Sequence, residues 1–232
     1  MVRTGIVGMG LAVVPACGGV LFSQGPVLEP DNVGLGFYSH SEPTPEHSFR
    51  HADTFRLAQG GSIRGIRWWG AAEGAESAAV ENVAGFEVQI YASGAFFPGA
   101  LLYSERFEFD QTAASATGRI GNGVQEFVHS VALGEAFTAA AGVRYWLLIA
   151  ADPIRPEGDG WLWGDADPSL GFDAFSASRA WGSANWQATS GYDSAFELLD
   201  VPAPSGAAAG LIVGAFGLGR RRREGRPIRD RA

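Results

Sequence analysis

The chain has 232 residues, of which 46% are hydrophobic and 12% aromatic, a composition that predicts one packed domain with attachments and excludes global disorder. Residues 26–200 hold 23 acidic residues against nine arginines, a net charge of −14, so this segment repels polyphosphates and we expect no nucleic-acid partner. The single cysteine, Cys17, excludes an internal disulfide.

Residues 1–25 have the layout of a secretory signal peptide: a basic residue, a short apolar run, and then small residues. The apolar run, about residues 5–14, is too short to span a bilayer core of ~30 Å as a helix. Two cleavage positions fit this layout, one after Ala16 and one after Ser23. A lipoprotein acylated on Cys17 is an alternative. The segment predicts export.

Two histidines in the loop-rich stretch that follows, His47 and His51, are four residues apart. That spacing aligns two zinc ligands only on a helix, and H-E-x-x-H would also need a glutamate between them. Pro43 and Pro45 disfavour a helix here, so we expect no zinc site.

Short apolar runs separated by Gly, Pro, Asn and Asp fill residues 53–200, and no stretch keeps a helical period over three turns. Strands recurring about every 10–20 residues predict an all-β domain, an antiparallel β-sandwich over residues 26–200. The run at 143–151 is apolar on both faces and is therefore expected to be a central strand. The expected strands are DTFRLA (53–58), GGSIRGIRWWG (60–70), GFEVQIYA (85–92), LLYSERFEFD (101–110), VQEFVHSVAL (124–133), VRYWLLIAA (143–151), WLWG (161–164), RAWGSANWQ (179–187) and SAFELLD (194–200).

Alternation within two of these runs assigns side chains to faces. In the run at 85–92, Phe86, Val88 and Ile90 are expected inside, with Glu87, Gln89 and Tyr91 outside. In the run at 101–110, Tyr103, Phe107 and Phe109 are expected on one face, with Arg106, Glu108 and Asp110 on the other.

This pattern resembles a jelly-roll sandwich found in secreted bacterial proteins, often just upstream of sorting tails. The resemblance implies a fold and no particular activity. The motifs that carry it are Ile66-Arg67-Trp68-Trp69-Gly70, the F-x-V-x-I-Y run at 86–91, Pro98-Gly99, Tyr145-Trp146, Trp161-x-Trp163 and Ala195-Phe196-x-Leu198.

An acidic stretch at 152–173 is the place to look for a metal. Asp159, Asp165 and Asp167, with backbone carbonyls, would offer the oxygen ligands that Ca²⁺ prefers. The spacing does not match an EF-hand, and Asp-Gly and Asp-Pro are ordinary turn formers. We expect solvated turns, with a structural calcium site as the alternative.

Seven tryptophans are a high number for this length. Exposed aromatic rings beside carboxylates and amides bind sugar rings, whereas a sandwich core also needs large aromatic side chains. Trp161 and Trp163 share one face, as do Trp68 and Ile66, so core packing is expected for them. Trp69 points the other way and is the candidate ligand-binding residue.

No catalytic motif accompanies these features. Glu105 and Glu108 are acidic residues of a predicted strand, and sequence alone does not identify them as a glycosidase pair. There is no G-x-S-x-G elbow and no glycine-rich phosphate loop. We expect a non-catalytic protein, with a secreted glycan hydrolase as the minority alternative.

Residues 201–232 form a tail of three parts. The first is the motif Val201, Pro202, Ala203, Pro204 and Ser205. An apolar, small-residue segment over 205–219 follows, long enough to cover roughly 25 Å as a helix. The cluster Arg220, Arg221, Arg222 and Arg223 completes the tail and is expected to stay cytoplasmic.

This order of features resembles the PEP-CTERM sorting signal, with Ala203 where that family usually has Glu. The resemblance implies processing at the Pro-x-Pro motif by an exosortase, in a Gram-negative bacterium that makes exopolysaccharide. The alternative is an ordinary C-terminal tail anchor. Together the two ends predict an exported protein of the cell surface or matrix, transiently anchored in the inner membrane, that either binds carbohydrate or is purely structural.

Overall fold

A computed structural model describes residues 19–26, 35–39, 49–72, 83–121, 124–153, 161–167, 176–180, 182–189 and 193–200. Within these ranges the chain is all-β, with two antiparallel sheets and no α-helix. This confirms the all-β class and is consistent with the expected sandwich. The thirteen strands are β1 (Val20–Gln24), β2 (Leu35–Tyr38), β3 (Phe49–Arg56), β4 (Gly61–Ala72), β5 (Val83–Ser93), β6 (Pro98–Glu108), β7 (Ala113–Gly121), β8 (Val124–Ala139), β9 (Arg144–Pro153), β10 (Trp161–Gly164), β11 (Ser176–Ala180), β12 (Gln187–Thr189) and β13 (Phe196–Leu199).

The first sheet has seven strands arranged around the long strand β4. One edge of β4 pairs with β8, which also pairs with β7. The other edge of β4 is shared by two short strands, β13 and then β10, which pair in turn with β1 and β2. Gly70 lies at the β10 pairing, where an added Cβ would stand 2.5 Å from the Trp161 ring. A glycine there lets this tryptophan pack against β4.

The second sheet has six strands in the order β12-β11-β3-β9-β5-β6. Strand β9 is central, as its two-sided apolar sequence predicted, and pairs with β3 on one side and β5 on the other. Its alternate residues serve two different clusters. Tyr145, Leu147 and Ile149 point into the main core, while Trp146 and Leu148 belong to a second apolar cluster.

The main core lies between the two sheets and is rich in aromatic rings. Trp68 of β4 meets Phe86 of β5 edge-on, with ring centroids 5.0 Å apart. Phe137 of β8 meets Tyr145 of β9 in the same manner at 5.4 Å. Each contact joins one sheet to the other, so burial of these rings holds the sheets face to face. The core also contains Trp161, Trp163, Phe55, Leu57, Ile66, Val88, Ile90 and Phe107.

The structure differs from the expected elements in three respects. Phe109 does not share a strand face with Tyr103 and Phe107, because β6 ends at Glu108 and a 3₁₀ turn spans Phe109–Gln111. RAWGSANWQ is not one strand: it holds the end of β11 and the start of β12. Strands β1, β2 and β7 were not among the expected strands.

Residues 1–18, most of the predicted signal peptide, and residues 201–232, with the predicted sorting motif, transmembrane helix and arginine cluster, lie outside the described residues. Within the part of the chain that is described, no helix has the length and apolar character needed to cross a membrane.

Candidate functional site

The outer face of the six-stranded sheet, which points away from the main core, carries a group of polar and aromatic side chains from three strands and one loop. Glu87, Gln89 and Tyr91 follow one another on β5, as the alternation predicted. Arg50 comes from β3, and strand pairing places Arg179 of β11 beside it. Trp186 comes from the segment between β11 and β12. We call this group, Arg50, Glu87, Gln89, Tyr91, Arg179 and Trp186, the polar–aromatic patch.

Gln89 is the centre of the hydrogen bonding in this patch. Its Oε1 accepts from Arg50 Nη1 at 3.3 Å and from the Tyr91 hydroxyl, and its Nε2 donates to Glu87 Oε1 at 2.5 Å. Arg50 also forms an ion pair with Glu87. Each side chain thus holds its neighbour in one orientation, which preorganises an amide, a carboxylate and a guanidinium side by side.

The aromatic part of the patch consists of Tyr91 and Trp186. Their ring centroids are 6.1 Å apart at an interplanar angle of 79°. The guanidinium carbon of Arg179 lies 4.6 Å from the centroid of the Trp186 ring, a cation–π arrangement. Within the described residues Arg179 forms no ion pair, so its charge is directed at the ring and at solvent.

The second apolar cluster lies directly beneath these rings. Trp146 is only 1% exposed although it faces away from the main core, and both Phe97 and Trp186 pack against its cluster. This cover explains why Gln89 and Tyr91 are buried rather than exposed on the outer face. Burial raises the pKa of Tyr91 by more than the positive charges of Arg179 and Arg50 lower it. The hydroxyl therefore stays protonated and donates a hydrogen bond.

The tryptophans divide between buried and half-buried positions. Trp68, Trp161 and Trp163 are in the main core, as expected. Trp69 is half-buried on the outer face of the seven-stranded sheet, where β8 pairs it with Val128. Trp186 is half-buried on the opposite side of the molecule, and Trp181 lies outside the described residues.

Two of the three acidic residues considered for calcium, Asp165 and Asp167, directly follow β10 at one end of the sandwich. Asp159 lies outside the described residues. Burial raises the pKa of Asp165 to about 6, and the Asp167 amide donates to the Gly25 carbonyl at 2.9 Å. In the described ranges, no three His, Cys, Asp or Glu side chains are arranged to hold a metal ion.

A buried carboxylate, Asp53, lies next to that end. Gln24 Nε2 donates to Asp53 Oδ2 at 2.8 Å, and the Ser194 and Thr54 amides also donate to this carboxyl group. Burial, and then the neighbouring Asp193, raise its pKa well above the usual value. The group ties β1, β3 and the segment before β13 together, which is a structural role.

The remaining candidates from the sequence are not brought together. Glu105 shares its face of β6 with Tyr103, whose hydroxyl donates to it, while Glu108 is exposed on the other face. Two carboxylates on opposite faces of a strand do not line one cleft. His51 is buried on β3, with its ring perpendicular to that of Trp163 at 6.0 Å between centroids, and burial lowers its pKa to about 3. His47 lies outside the described residues.

A family model described as a domain of unknown function, DUF7901, matches residues 20–200. The chain belongs to this family. The DUF7901 domain begins at the first residue of β1 and ends one residue after β13, so both terminal strands are part of it. No curated protein and no solved structure matches this chain.

Sequence reasoning missed Arg179 and Trp186 as partners of β5. The pairing of β11 with β3 joins residues more than a hundred positions apart, and no local signal in RAWGSANWQ indicates it. The sequence shows only that Arg179 and Trp186 flank a turn that contains Gly, Ser and Asn.

Proposed function

We propose that this DUF7901 protein is an exported, non-catalytic protein of the cell surface or exopolysaccharide matrix, and that it binds glycan through the polar–aromatic patch. The observation that carries the proposal is the half-buried Trp186 ring beside the preorganised Arg50–Glu87–Gln89 network. A sugar ring offers an apolar face for stacking and hydroxyl groups that both donate and accept. The patch supplies complementary groups for each of these contacts.

Export and sorting rest on the two ends of the chain. The N-terminal layout is that of a signal peptide, and the tail resembles a PEP-CTERM signal with its motif at Val201–Ser205. On this proposal an exosortase processes the tail, and the segment at 205–219 anchors the chain in the inner membrane only until then. The two antiparallel sheets support a β-sandwich, and the jelly-roll-like arrangement of its strands is inferred from the sequence resemblance alone.

The binding test uses the exported product of the full chain on a glycan array. Trp186→Ala removes the stacking surface, and we expect affinity for the bound glycan to fall at least about tenfold, or 1.4 kcal/mol. Trp69→Ala is the matched control, since it removes a half-buried tryptophan from the other sheet. Trp186→Tyr keeps an aromatic face and should retain most of the binding.

Three outcomes count against the proposed site. Equal loss in both alanine variants would indicate a general effect on folding, which far-ultraviolet and near-ultraviolet circular dichroism would reveal. Loss in Trp69→Ala alone would move the site to the seven-stranded sheet. Absence of binding to every glycan by the folded product would remove glycan recognition altogether.

The second candidate is a purely structural surface protein with no small ligand. The observation in its favour is that four tryptophans, Trp68, Trp146, Trp161 and Trp163, are buried in the two apolar clusters. Trp69 and Trp186 are half-buried on different sheets, so they form no continuous aromatic row. A folded, exported product that binds no glycan would favour this candidate.

A further inference from the structure

Strand β1 overlaps the end of the predicted signal peptide, residues 1–25, and its place in the folded domain favours one of the two cleavage positions. Ser23 and Gln24 lie within β1, where they pair with Glu197 and Phe196 of β13. Ala16 lies three residues before Gly19, the first described residue. We propose that the export cleavage falls after Ala16, so that the mature chain keeps the whole of β1. This inference rests on the export half of the proposed function and is independent of glycan binding.

The packing of β1 favours cleavage after Ala16. Phe22 of β1 stacks on Phe196 of β13, with ring centroids 5.3 Å apart, and lies 6.2 Å from Phe55 of β3. Cleavage after Ser23 would remove this side chain from the edge of the main core. The rings of Phe196 and Phe55 would then be more exposed to water, and part of the free energy gained by burying their apolar surface would be lost.

The pairing of β1 with β13 also favours cleavage after Ala16. β13 lies between β1 and β4, and its pairing with β1 extends from Gln24–Phe196 to Val20–Leu199. Past that ladder the Asp200 amide donates to the Gly19 carbonyl at 3.1 Å. Without β1 the short strand β13 would become an unprotected edge, and such edges invite pairing with other chains.

The charge of a new N-terminus disfavours cleavage after Ser23. Cleavage after Ser23 would make Gln24 the new N-terminus, with an α-ammonium group. Gln24 is only 1% exposed, and its side chain donates to Asp53 Oδ2 and to the Ser194 carbonyl. A charged terminus at a buried position is costly unless it is paired with an opposite charge. Here the nearby carboxyl group, Asp53, already accepts three hydrogen bonds and is itself shifted by burial toward the neutral form.

The reaction is an ordinary hydrolysis. Water adds across the Ala16–Cys17 peptide bond, which leaves a carboxylate on Ala16 and an α-amino group on Cys17. Ala16 supplies the small residue that such sites need immediately before the scissile bond, and Val14 stands two positions earlier. The family match from residue 20 agrees with retention of β1 in the mature domain.

The test measures the intact mass and N-terminal sequence of the exported product of the full chain. We expect a chain that begins at Cys17, and an added acyl mass on that residue would support the same scissile bond. A chain that begins at Gln24, or at any residue from Val20 onward, would overturn the inference. A periplasmic or extracellular chain that still begins at Met1 would also overturn it. Absence of the protein from both fractions would instead refute the export on which the inference rests.

Two variants test which of the two bonds is cleaved without relying on the mass of the wild-type product. A large charged residue immediately before the scissile bond blocks signal cleavage, so Ala16→Arg should accumulate uncleaved precursor. Ser23→Arg is the matched control, and it places a cation next to Glu197, which Ser23 Oγ already contacts at 3.2 Å. This variant should mature normally. Accumulation in Ser23→Arg with normal maturation of Ala16→Arg would contradict the inference.

Discussion

The backbone amide of Asp200 donates a hydrogen bond to the carbonyl oxygen of Gly19, at a distance of 3.1 Å. The two residues stand at opposite ends of the DUF7901 domain, 181 positions apart in the chain, yet the β1–β13 ladder brings them together. The first and last described residues of the domain therefore lie side by side. On the proposed function, the segments that precede and follow the domain connect to it at the same edge.

The packing of β1 predicts a difference between two substitutions on the same strand. Phe22→Ala removes a ring that stacks on Phe196, and we expect the free energy of unfolding to fall by about 2 kcal/mol, less than for a fully buried phenylalanine. Val20→Ala is the control, because Val20 is 51% exposed, and it should change this free energy by no more than about 0.5 kcal/mol. Urea unfolding measures both. Equal effects would show that β1 does not pack as described.

His129 predicts a pH dependence of stability. It is buried among aromatic rings, stacked on Trp68 with ring centroids 5.5 Å apart and tilted against Phe86 at 4.9 Å, and burial lowers its pKa from 6.5 to about 3. Between those values the unfolded chain binds a proton that the folded chain does not. The stability due to neutral His129 is therefore present above pH 6.5 and is lost as the pH falls toward 3.

A His129→Phe variant isolates this contribution, because the other buried histidine, His51, and the shifted aspartates are present in both proteins. Relative to the variant, the wild type should lose about 2 kcal/mol of unfolding free energy between pH 7.5 and pH 5.0. Urea unfolding at the two pH values gives the difference. A difference that does not change with pH would mean that His129 is accessible to protons in the folded state.

The tail predicts a processing defect that does not alter the domain. Replacing both Pro202 and Pro204 by alanine removes the Pro-x-Pro motif, and we expect the unprocessed chain to stay in the membrane fraction of an exosortase-bearing host. Pro227→Ala is the matched control, since this proline follows the arginine cluster. Immunoblots of membrane and secreted fractions distinguish the outcomes. Normal release of the double variant would contradict processing at the Pro-x-Pro motif, and retention of the wild type in the membrane fraction as well would favour an ordinary tail anchor.

The central strand was predictable from sequence because its pattern is unambiguous. In the run at 143–151 both faces are apolar, and only a strand with neighbours on each side and cover on each face can bury both. The core positions of Phe86, Val88 and Ile90 followed from period-two alternation in the same way. Where side chains alternate strongly, local sequence specifies which face is buried.

The features that the sequence did not predict depend mainly on contacts outside the strand in which they occur. Gln89 and Tyr91 were assigned correctly to the outer face, but their burial depends on Trp186, which comes from a distant turn, and on Phe97, from the turn that follows β5. Strand β7, AASATGRIG, has almost no apolar signal and is held by its pairing with β8. Strand β1 was hidden within residues that also read as the end of a signal peptide.

The most direct test of the proposed function is the affinity of the exported product for purified exopolysaccharide from its own host, measured by co-sedimentation. The account predicts saturable binding by the wild type, at least about tenfold weaker binding by Trp186→Ala, and unchanged binding by Trp69→Ala. Saturable binding that both variants retain would contradict the assignment to the polar–aromatic patch. No binding by the folded wild type to this polysaccharide would contradict the matrix-binding function itself.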